Sequence, residues 1–340
     1  MGAFSKLRAR YRLRLKRRRL LWRALRARHA LRRVENRTAI LKPEDILLFA
    51  TMRNEALRLP YFLQHYRALG VAHFLIVVND SSDGTLELLR HAPDVSVWST
   101  QASYRASRFG MDWISWLLLH YGKRHWCLTV DADELLVYPG CETQKLQQLT
   151  AWLEAQGANS FGALMLDLYP PGPLSTAHSD PGDDPTKALP LYDAQGYTWE
   201  QQARFGNISI RGGPRKRCFF TDRPELAPHL HKIPLVKWNW RYAYVSSTHV
   251  ALPRRLNRAF DARLNLPTGV LLHTKFLEGA PERAKSEQLR GEHFTHCKDY
   301  DAYYAGVAAD PDLSTAESCS YRGPQGLVED GLMTPGAWKA

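Results

Sequence analysis

Cysteine is scarce and scattered in this 340-residue chain: Cys127, Cys141, Cys218, Cys297 and Cys319 form no C-x-x-C pair, and their number is odd. That distribution argues against a secreted disulfide framework and for a reducing compartment, so a cytoplasmic protein is expected. No stretch reaches the roughly 18 apolar residues of a membrane span, and no uncharged run follows the early arginines as a signal peptide would require. No G-x-G-x-x-G follows the first apolar strand and no G-x-x-x-x-G-K-S/T occurs anywhere, which removes the phosphate cradles of dinucleotide oxidoreductases and P-loop proteins. Acid is nearly missing from residues 1–42, where Glu35 stands against 16 of the chain's 46 Lys and Arg. The remainder carries slightly more acid than base. A nucleic-acid reader needs a basic groove on its folded domain, so that class is confined to the first 42 residues and a nucleic-acid partner is not expected.

Those 42 residues form one basic segment. From Phe4 to Arg33 it lacks Pro and Gly and is rich in Leu, Ala and Arg, which favours helix by propensity. Phe4, Leu7, Tyr11, Leu15, Trp22 and Leu25 recur near helical spacing, interrupted at Arg18. The leading reading is an amphipathic helix lying on anionic lipid at the inner face of the cell membrane, ahead of a nucleic-acid arm or a solvated tail.

Beyond residue 42 strand-like and helix-like segments alternate. Ile46–Thr51, Phe74–Asn79, Val95–Ser99 and Trp126–Val130 read as buried strands; Leu59–Leu69, Thr85–His91 and Arg108–Tyr121 read as helices, the first with Pro60 in its first turn and Gly70 as its stop. This pattern predicts an α/β fold, a mostly parallel sheet with helices on both faces, preceded by the basic helix. Ligands of such sheets sit outside the carboxyl ends of the strands. Polar residues gather there: Thr51, Arg53, Asn54 and Glu55; then Asn79, Asp80 and Asp83; then Asp131, Asp133 and Glu134. Asp83 or Ser82 is also placed to cap the helix at Thr85.

In WCLTVDADELLVY, Asp131 and Asp133 stand two apart on extended chain and face one way. Both carboxylates could meet one hard cation, Mn²⁺ or Mg²⁺, which leaves its other sites to water and substrate phosphates. The run MRNEALRLPYFLQHYRALGVAHFLIVVNDSSDGT, followed by HWCLTVDADELLVY, resembles the nucleotide-sugar-binding half of family-two-like glycosyltransferases over about residues 45–140. The resemblance implies a GT-A (Rossmann-like) fold, a divalent metal and a nucleoside-diphosphate sugar such as a UDP-sugar. It implies that Thr51, Glu55 and Asp80, with Arg53 beside them, line the base and ribose pocket, that Asp131 sits at ribose or metal, and that Asp133 holds the metal.

The second half is less periodic. Residues 169–195 hold six prolines and the run SDPGDDP, which predicts a long surface loop or lid. RKRCFF, HKIPLVKW and YAYVSSTHV read as strands or extended pieces, GVLLHTKFL as an apolar run, and Glu282–Glu292, continuing through His293, as a helix. The resemblance implies a late histidine at the metal or phosphate site, which is His273, with His249 as its rival; Lys275 or Arg215 could neutralise a diphosphate. The acceptor's base would be Asp222, with Asp167 as the alternative and Glu225 also in view. The organisation expected is a helical arm (1–42), a nucleotide-sugar-binding half (43–168), a Pro-rich loop or lid (169–195) and an acceptor-side half (196–340). The function expected is that of a metal-dependent, inverting glycosyltransferase that moves a sugar from a nucleoside-diphosphate donor to a glycan or lipid-linked acceptor in surface polysaccharide or glycoconjugate synthesis. The alternatives are a nucleotidyltransferase and a non-enzymatic protein with a nucleic-acid-binding arm.

Overall fold

The computed structural model describes residues 3–290 and 297–339, with side chains described for 7–287 and 301–339. The chain begins with α1 (Ala3–Ala27) and continues through β1 (Arg32–Glu35), β2 (Ile46–Met52), α2 (Leu59–Ala68), β3 (His73–Asn79), α3 (Thr85–His91), β4 (Val95–Thr100), α4 (Met111–Tyr121), β5 (Trp126–Thr129), β6 (Glu134–Val137) and α5 (Leu146–Ala155). The alternation expected from Ile46 onward is present. The helix expected from Arg108 starts at Met111, because Arg108, Phe109 and Gly110 all take positive φ, which a right-handed helix excludes.

The second half supplies β7 (Ser160–Asp167), α6 (Pro185–Ala188), β8 (Leu191–Asp193), the hairpin β9 (Thr198–Gln202) and β10 (Asn207–Arg211), α7 (Gly213–Phe219), β11 (His231–Lys237), β12 (Ala243–Ser246), β13 (Val250–Leu252), β14 (Gly269–His273), α8 (Ala280–Arg290), α9 (Cys297–Ala308), β15 (Ser318–Ser320) and α10 (Pro324–Glu329). RKRCFF, expected as extended chain, lies in α7 instead: Pro214 sits in the helix's first turn and Gly213 has φ +70°, the pairing that starts a helix sharply. The expected helix from Glu282 is α8; its continuation through Glu292 and His293 lies outside the described residues.

Among the described residues, nine strands make one sheet in the order β1-β4-β3-β2-β5-β11-β7-β14-β6. β1, β11 and β6 run against the other six. Side chains alternate across it as extended chain requires. Ile46, Leu48 and Ala50 of β2 and Phe74 and Ile76 of β3 join the core under α2, α3 and α5. Leu47, Phe49, Leu75 and Val77 face the other way, onto Trp113, Ile114, Leu117 and Leu118 of α4. The structure is thus an α/β sandwich with helices on both faces, and α1 lies outside α4, also touching β12.

Two expectations about segment boundaries change. Residues 1–42 are not a separate arm, because β1 hydrogen-bonds along β4, pairing Arg32 with Ser99 and Arg33 with Trp98, and Leu20 and Ala24 of α1 are buried. Residues 169–195 are neither a loose loop nor a lid over the large pocket. Tyr169, Leu174, Ala177, Leu189 and Tyr192 are buried in the main core, β8 pairs with β15, and no residue of the segment lines that pocket. The prolines punctuate it, but the apolar residues between them pin it down.

His65 on α2 shows how tightly this layer closes. Its Nε2–H donates to Leu136 O at 2.9 Å, and its ring meets Tyr66 edge-on with centroids 4.9 Å apart. Burial outweighs that hydrogen bond and pushes its pKa down to about 4. An unfolded histidine titrates near 6.5, so as pH falls the unfolded chain takes up the proton first. The stability tied to neutral His65 is therefore whole above about pH 6.5 and drains away toward about pH 4. Thermal unfolding followed across that window should show the wild-type melting temperature falling and His65→Gln falling less steeply; an identical slope would contradict the buried neutral imidazole.

Candidate functional site

Strand register assembles the site. β14 lies between β7 and β6, with His273 opposite Asp167 on one side and Glu134 on the other. β11 enters the same edge of the sheet from the opposite direction and brings Lys232 beside them. Asp131 and Asp133 follow β5, and the turn they occupy is tied to the end of β14: Thr274 donates its amide (2.7 Å) and its hydroxyl (3.1 Å) to Asp133 O. The carboxyl ends of β5, β7 and β14 thereby converge with the amino ends of β6 and β11.

Two rows of charge result. In the first, His273 Nε2 lies 3.2 Å from Asp133 Oδ2, its Nδ1–H donates to Asp167 Oδ1 at 2.6 Å, and Asp167 Oδ2 receives Arg215 Nε at 2.7 Å. Burial works against charged His273, but the Asp133 and Asp167 carboxylates outweigh it and raise its pKa. Burial likewise opposes ionised Asp133 and Asp167, yet His273 on the former and Arg215 on the latter hold them below the usual carboxylate range. In the second row, Lys232 Nζ is 2.8 Å from Asp131 Oδ2 and also bridges to buried Glu134. Glu134 Oε2 in turn accepts the Asp131 amide at 3.1 Å. Burial disfavours the Lys232 ammonium, but the two carboxylates keep it charged.

The loops after β2 and β3 are laced together. Asn54 accepts the Ser82 amide at 2.8 Å while its own amide donates to Ser81 Oγ at 3.0 Å; the Glu55 amide donates to Thr85 Oγ1 and the Ala56 amide to Asp83 Oδ2. The N-cap of α3 is Gly84, not Asp83 or Ser82; Asp83, one residue ahead of it, accepts the Thr85 amide at 3.0 Å through Oδ1 and so braces the helix start while binding one loop to the other. Arg58, almost fully buried, pairs with Glu55 at 2.8 Å and donates to Thr274 O at 3.1 Å. Arg53 spans Asp80 and Glu287.

These elements enclose a cavity of about 1580 Å³. Of the residues singled out in the sequence, Thr51, Arg53, Glu55, Asp131, Asp133, Arg215, His249, His273 and Lys275 line it. Asp80 is more than half exposed at the rim beside Arg53 and is not among the lining residues. Asp222 does not line it either: it is exposed in the bend after α7, and Glu225, exposed in the following turn, lies 3.9 Å from Arg223. Asp167, the other candidate base, is buried with both oxygens engaged by His273 and Arg215, so its chemistry is to orient His273.

Sequence reasoning missed several lining residues. Lys232 lay within HKIPLVKW, where a lysine in an otherwise apolar strand is the signal; Arg58 lay inside the quoted motif run. Arg283 on α8, whose pKa burial lowers to about 10, and the loop from Ser103 to Phe109 carried no signal. His249 has a defined tautomer. Its Nδ1 lies 2.7 Å from His231 O, a group that only accepts, so Nδ1 bears the hydrogen. Nε2 keeps its lone pair and has no hydrogen-bond partner among the described residues.

Among the described residues no three His, Cys, Asp or Glu side chains converge on one point as a complete metal cage. A hard ion that draws on substrate oxygens needs fewer. The 3.2 Å between Asp133 Oδ2 and His273 Nε2 is close to the edge of about 3 Å of an octahedron with metal–ligand bonds of about 2.1 Å. Asp167 on Nδ1 supplies the carboxylate that orients a ligating histidine. These residues fit such an ion.

No family model matches the chain, and no curated protein matches it. Solved structures that superpose on it include a protein described as a glucose-1-phosphate thymidylyltransferase from Bacillus anthracis in complex with sucrose, at 9% identity over 77% of this chain and 82% of that one with a TM-score of 0.30. A UTP-bound UGPase from Acinetobacter baumannii superposes at 11% identity over 68% and 85% with a TM-score of 0.27. A 4-diphosphocytidyl-2C-methyl-D-erythritol synthase does so at 16% identity over 41% and 66% with a TM-score of 0.23. The architecture described above stands on its own strand order and register.

Removing one partner of a buried ion pair costs about 3–5 kcal/mol. Arg215→Ala, which strands Asp167, should lose stability in that range in a denaturant titration, and Arg215→Lys should lose less. A loss below about 1 kcal/mol, the scale of an exposed pair, would show that the row is not closed to water.

Proposed function

We propose that the protein is a metal-dependent glycosyltransferase that moves a sugar from a nucleoside diphosphate, a UDP-sugar being the leading donor, to a hydroxyl of a glycan or lipid-linked acceptor at the inner face of the cell membrane. The observation that carries this reading is the Asp133–His273–Asp167–Arg215 row at the carboxyl ends of the strands, opening into a cavity lined by Arg53, Arg58, Lys275 and Arg283. An acidic pair with an oriented histidine beside four cations suits a diphosphate and its counterion. Mn²⁺ or Mg²⁺ would be held by Asp133 and His273, with Asp131 adjoining, and when bound would stabilise charge on the departing diphosphate.

The chain's own groups do the rest. Lys275 and Arg58 face the developing negative charge from fixed positions, so little reorganisation accompanies its appearance. Neither Asp222 nor Asp167 is placed to take the acceptor's proton; His249 is the better candidate, because its Nε2 lone pair is free and its ring lines the cavity. Burial, and then the charge of Lys232, keeps that imidazole neutral. The acceptor oxygen bonds to the anomeric carbon, the carbon–oxygen bond to the diphosphate breaks with its electron pair leaving on the phosphate, and the hydroxyl proton passes to His249 Nε2. Attack from the face opposite the leaving group inverts the anomeric centre.

The same cationic cavity would also suit a nucleoside triphosphate, and this favours nucleotidyl transfer as the second reading. Assays with a panel of nucleotide sugars and Mn²⁺, run beside nucleoside triphosphate with sugar 1-phosphate, separate the two: free nucleoside diphosphate supports glycosyl transfer, pyrophosphate supports nucleotidyl transfer. Asp133→Ala should abolish donor turnover while the circular dichroism spectrum is kept; full activity would remove the metal role. His249→Gln should lower kcat by about 10²–10⁴-fold, the range of general acid–base catalysis, without weakening nucleotide binding. An unchanged kcat would return the base to another group.

A further inference from the structure

α1 has two faces of opposite character. Leu20 and Ala24 are buried where the helix meets α4 and β12. On the other side, spaced at helical intervals, Leu7 is 64%, Tyr11 59%, Leu15 44%, Trp22 56% and Leu25 43% exposed. Large apolar side chains in that arrangement form an exposed stripe, and arginines surround it. No helix among the described residues is long and apolar enough to cross a membrane, so this is a surface and not a span.

A second exposed segment lies beside the helix. The turn between β11 and β12 carries Trp240, 50% exposed, with the Arg241 guanidinium 4.7 Å from its ring centroid. On α1, Trp22 and Arg26 form the same pair at 4.7 Å. β12, which this turn leads into, packs on α1, so the turn lies along the flank of the helix, where Arg241 and Arg255 as well as Arg14 come within electrostatic reach of Arg17. Such a cluster of like charges is unfavourable in isolation and calls for an anionic counterpart. Aromatic rings beside arginines, with leucines between, suit the layer where lipid phosphate meets acyl chain; a nucleic-acid backbone would satisfy the arginines but leave the leucines in water.

We propose that the outward stripe of α1 and the Trp240–Arg241 turn form one docking surface for an anionic lipid bilayer. This rests on the peripheral-membrane part of the reading above and extends it to a second segment far from the amino terminus in sequence. Arg23 of the same helix lines the catalytic cavity, held by Asp112 at 2.6 Å. The helix that carries the docking surface thus also forms part of the cavity wall, which suits an acceptor anchored in the lipid.

The test is co-flotation of the full chain with phosphatidylglycerol–phosphatidylcholine vesicles, beside pure phosphatidylcholine vesicles and a double-stranded DNA competitor. Wild type should float with the anionic vesicles alone. The double variant Leu15→Ser/Trp22→Ser should partition at least about tenfold less, and Trp240→Ser several-fold less, with circular dichroism unchanged in each. Loss of about tenfold corresponds to about 1.4 kcal/mol of transfer energy. Absence of wild-type binding, partition of the double variant equal to wild type, or DNA outcompeting vesicles with no effect of the apolar substitutions would overturn the lipid assignment. Trp240→Ser binding as wild type would overturn the two-segment surface. Flotation needs no substrate, so failure here leaves the transfer chemistry standing, and inactive enzyme would leave the docking surface standing.

Discussion

The site depends on two buried aspartates, Asp133 and Asp167, that stay ionised because cations delivered from another strand and a helix meet them. Asp167 is the centre of this arrangement. It sits at the end of β7, holds His273 from β14 through one oxygen and Arg215 from α7 through the other. A lone buried carboxylate would be expensive to charge; held between two donors, it becomes the fixed point from which the His273 ring, and through it Asp133, take their direction. The register of β14 against β7 is therefore a chemical specification as much as a folding one, since a slip by one residue would turn His273 to the opposite face of the sheet.

The interlaced loops serve the same end. Loops at strand ends are ordinarily the least restrained parts of an α/β protein. Here Asn54 and Asp83 bind one loop to the next through backbone amides, and Asn54 and Asp80 adopt the left-handed conformation that Asn and Asp tolerate better than most residues. Gly110 is required for a related reason: a Cβ there would stand 2.7 Å from Thr51 Oγ1, so the backbone after β4 can reach the cavity wall only without a side chain.

Much of this was legible in the sequence because it is local. Continuous apolar runs at Ile46, Phe74 and Trp126, each followed by polar residues, announced both the strands and the edge of the sheet at which the site lies. The nearness of Asp133 to His273, far apart in the chain, followed only from the resemblance. What the sequence hid is what strand order decides. Nothing local shows that β11 runs backwards between β5 and β7, yet that insertion delivers Lys232 to Asp131 and Glu134. Nor does a chain position reveal that Asp222 is turned outward while Asp167 is sealed in. The Pro-rich stretch misled for a different reason: composition records the breaks between elements, whereas Leu174, Leu189 and Tyr192 supply the burial that holds them.

β1 gives the first segment an unexpected duty. By pairing along β4 it occupies hydrogen-bonding groups that would otherwise face water at the margin of a long sheet, and bare margins of that kind recruit strands from neighbouring molecules. The polypeptide ahead of the alternating body is therefore also a guard against self-association. A shortened protein trimmed at residue 42, the boundary that charge alone recommends, would begin its life with an open seam.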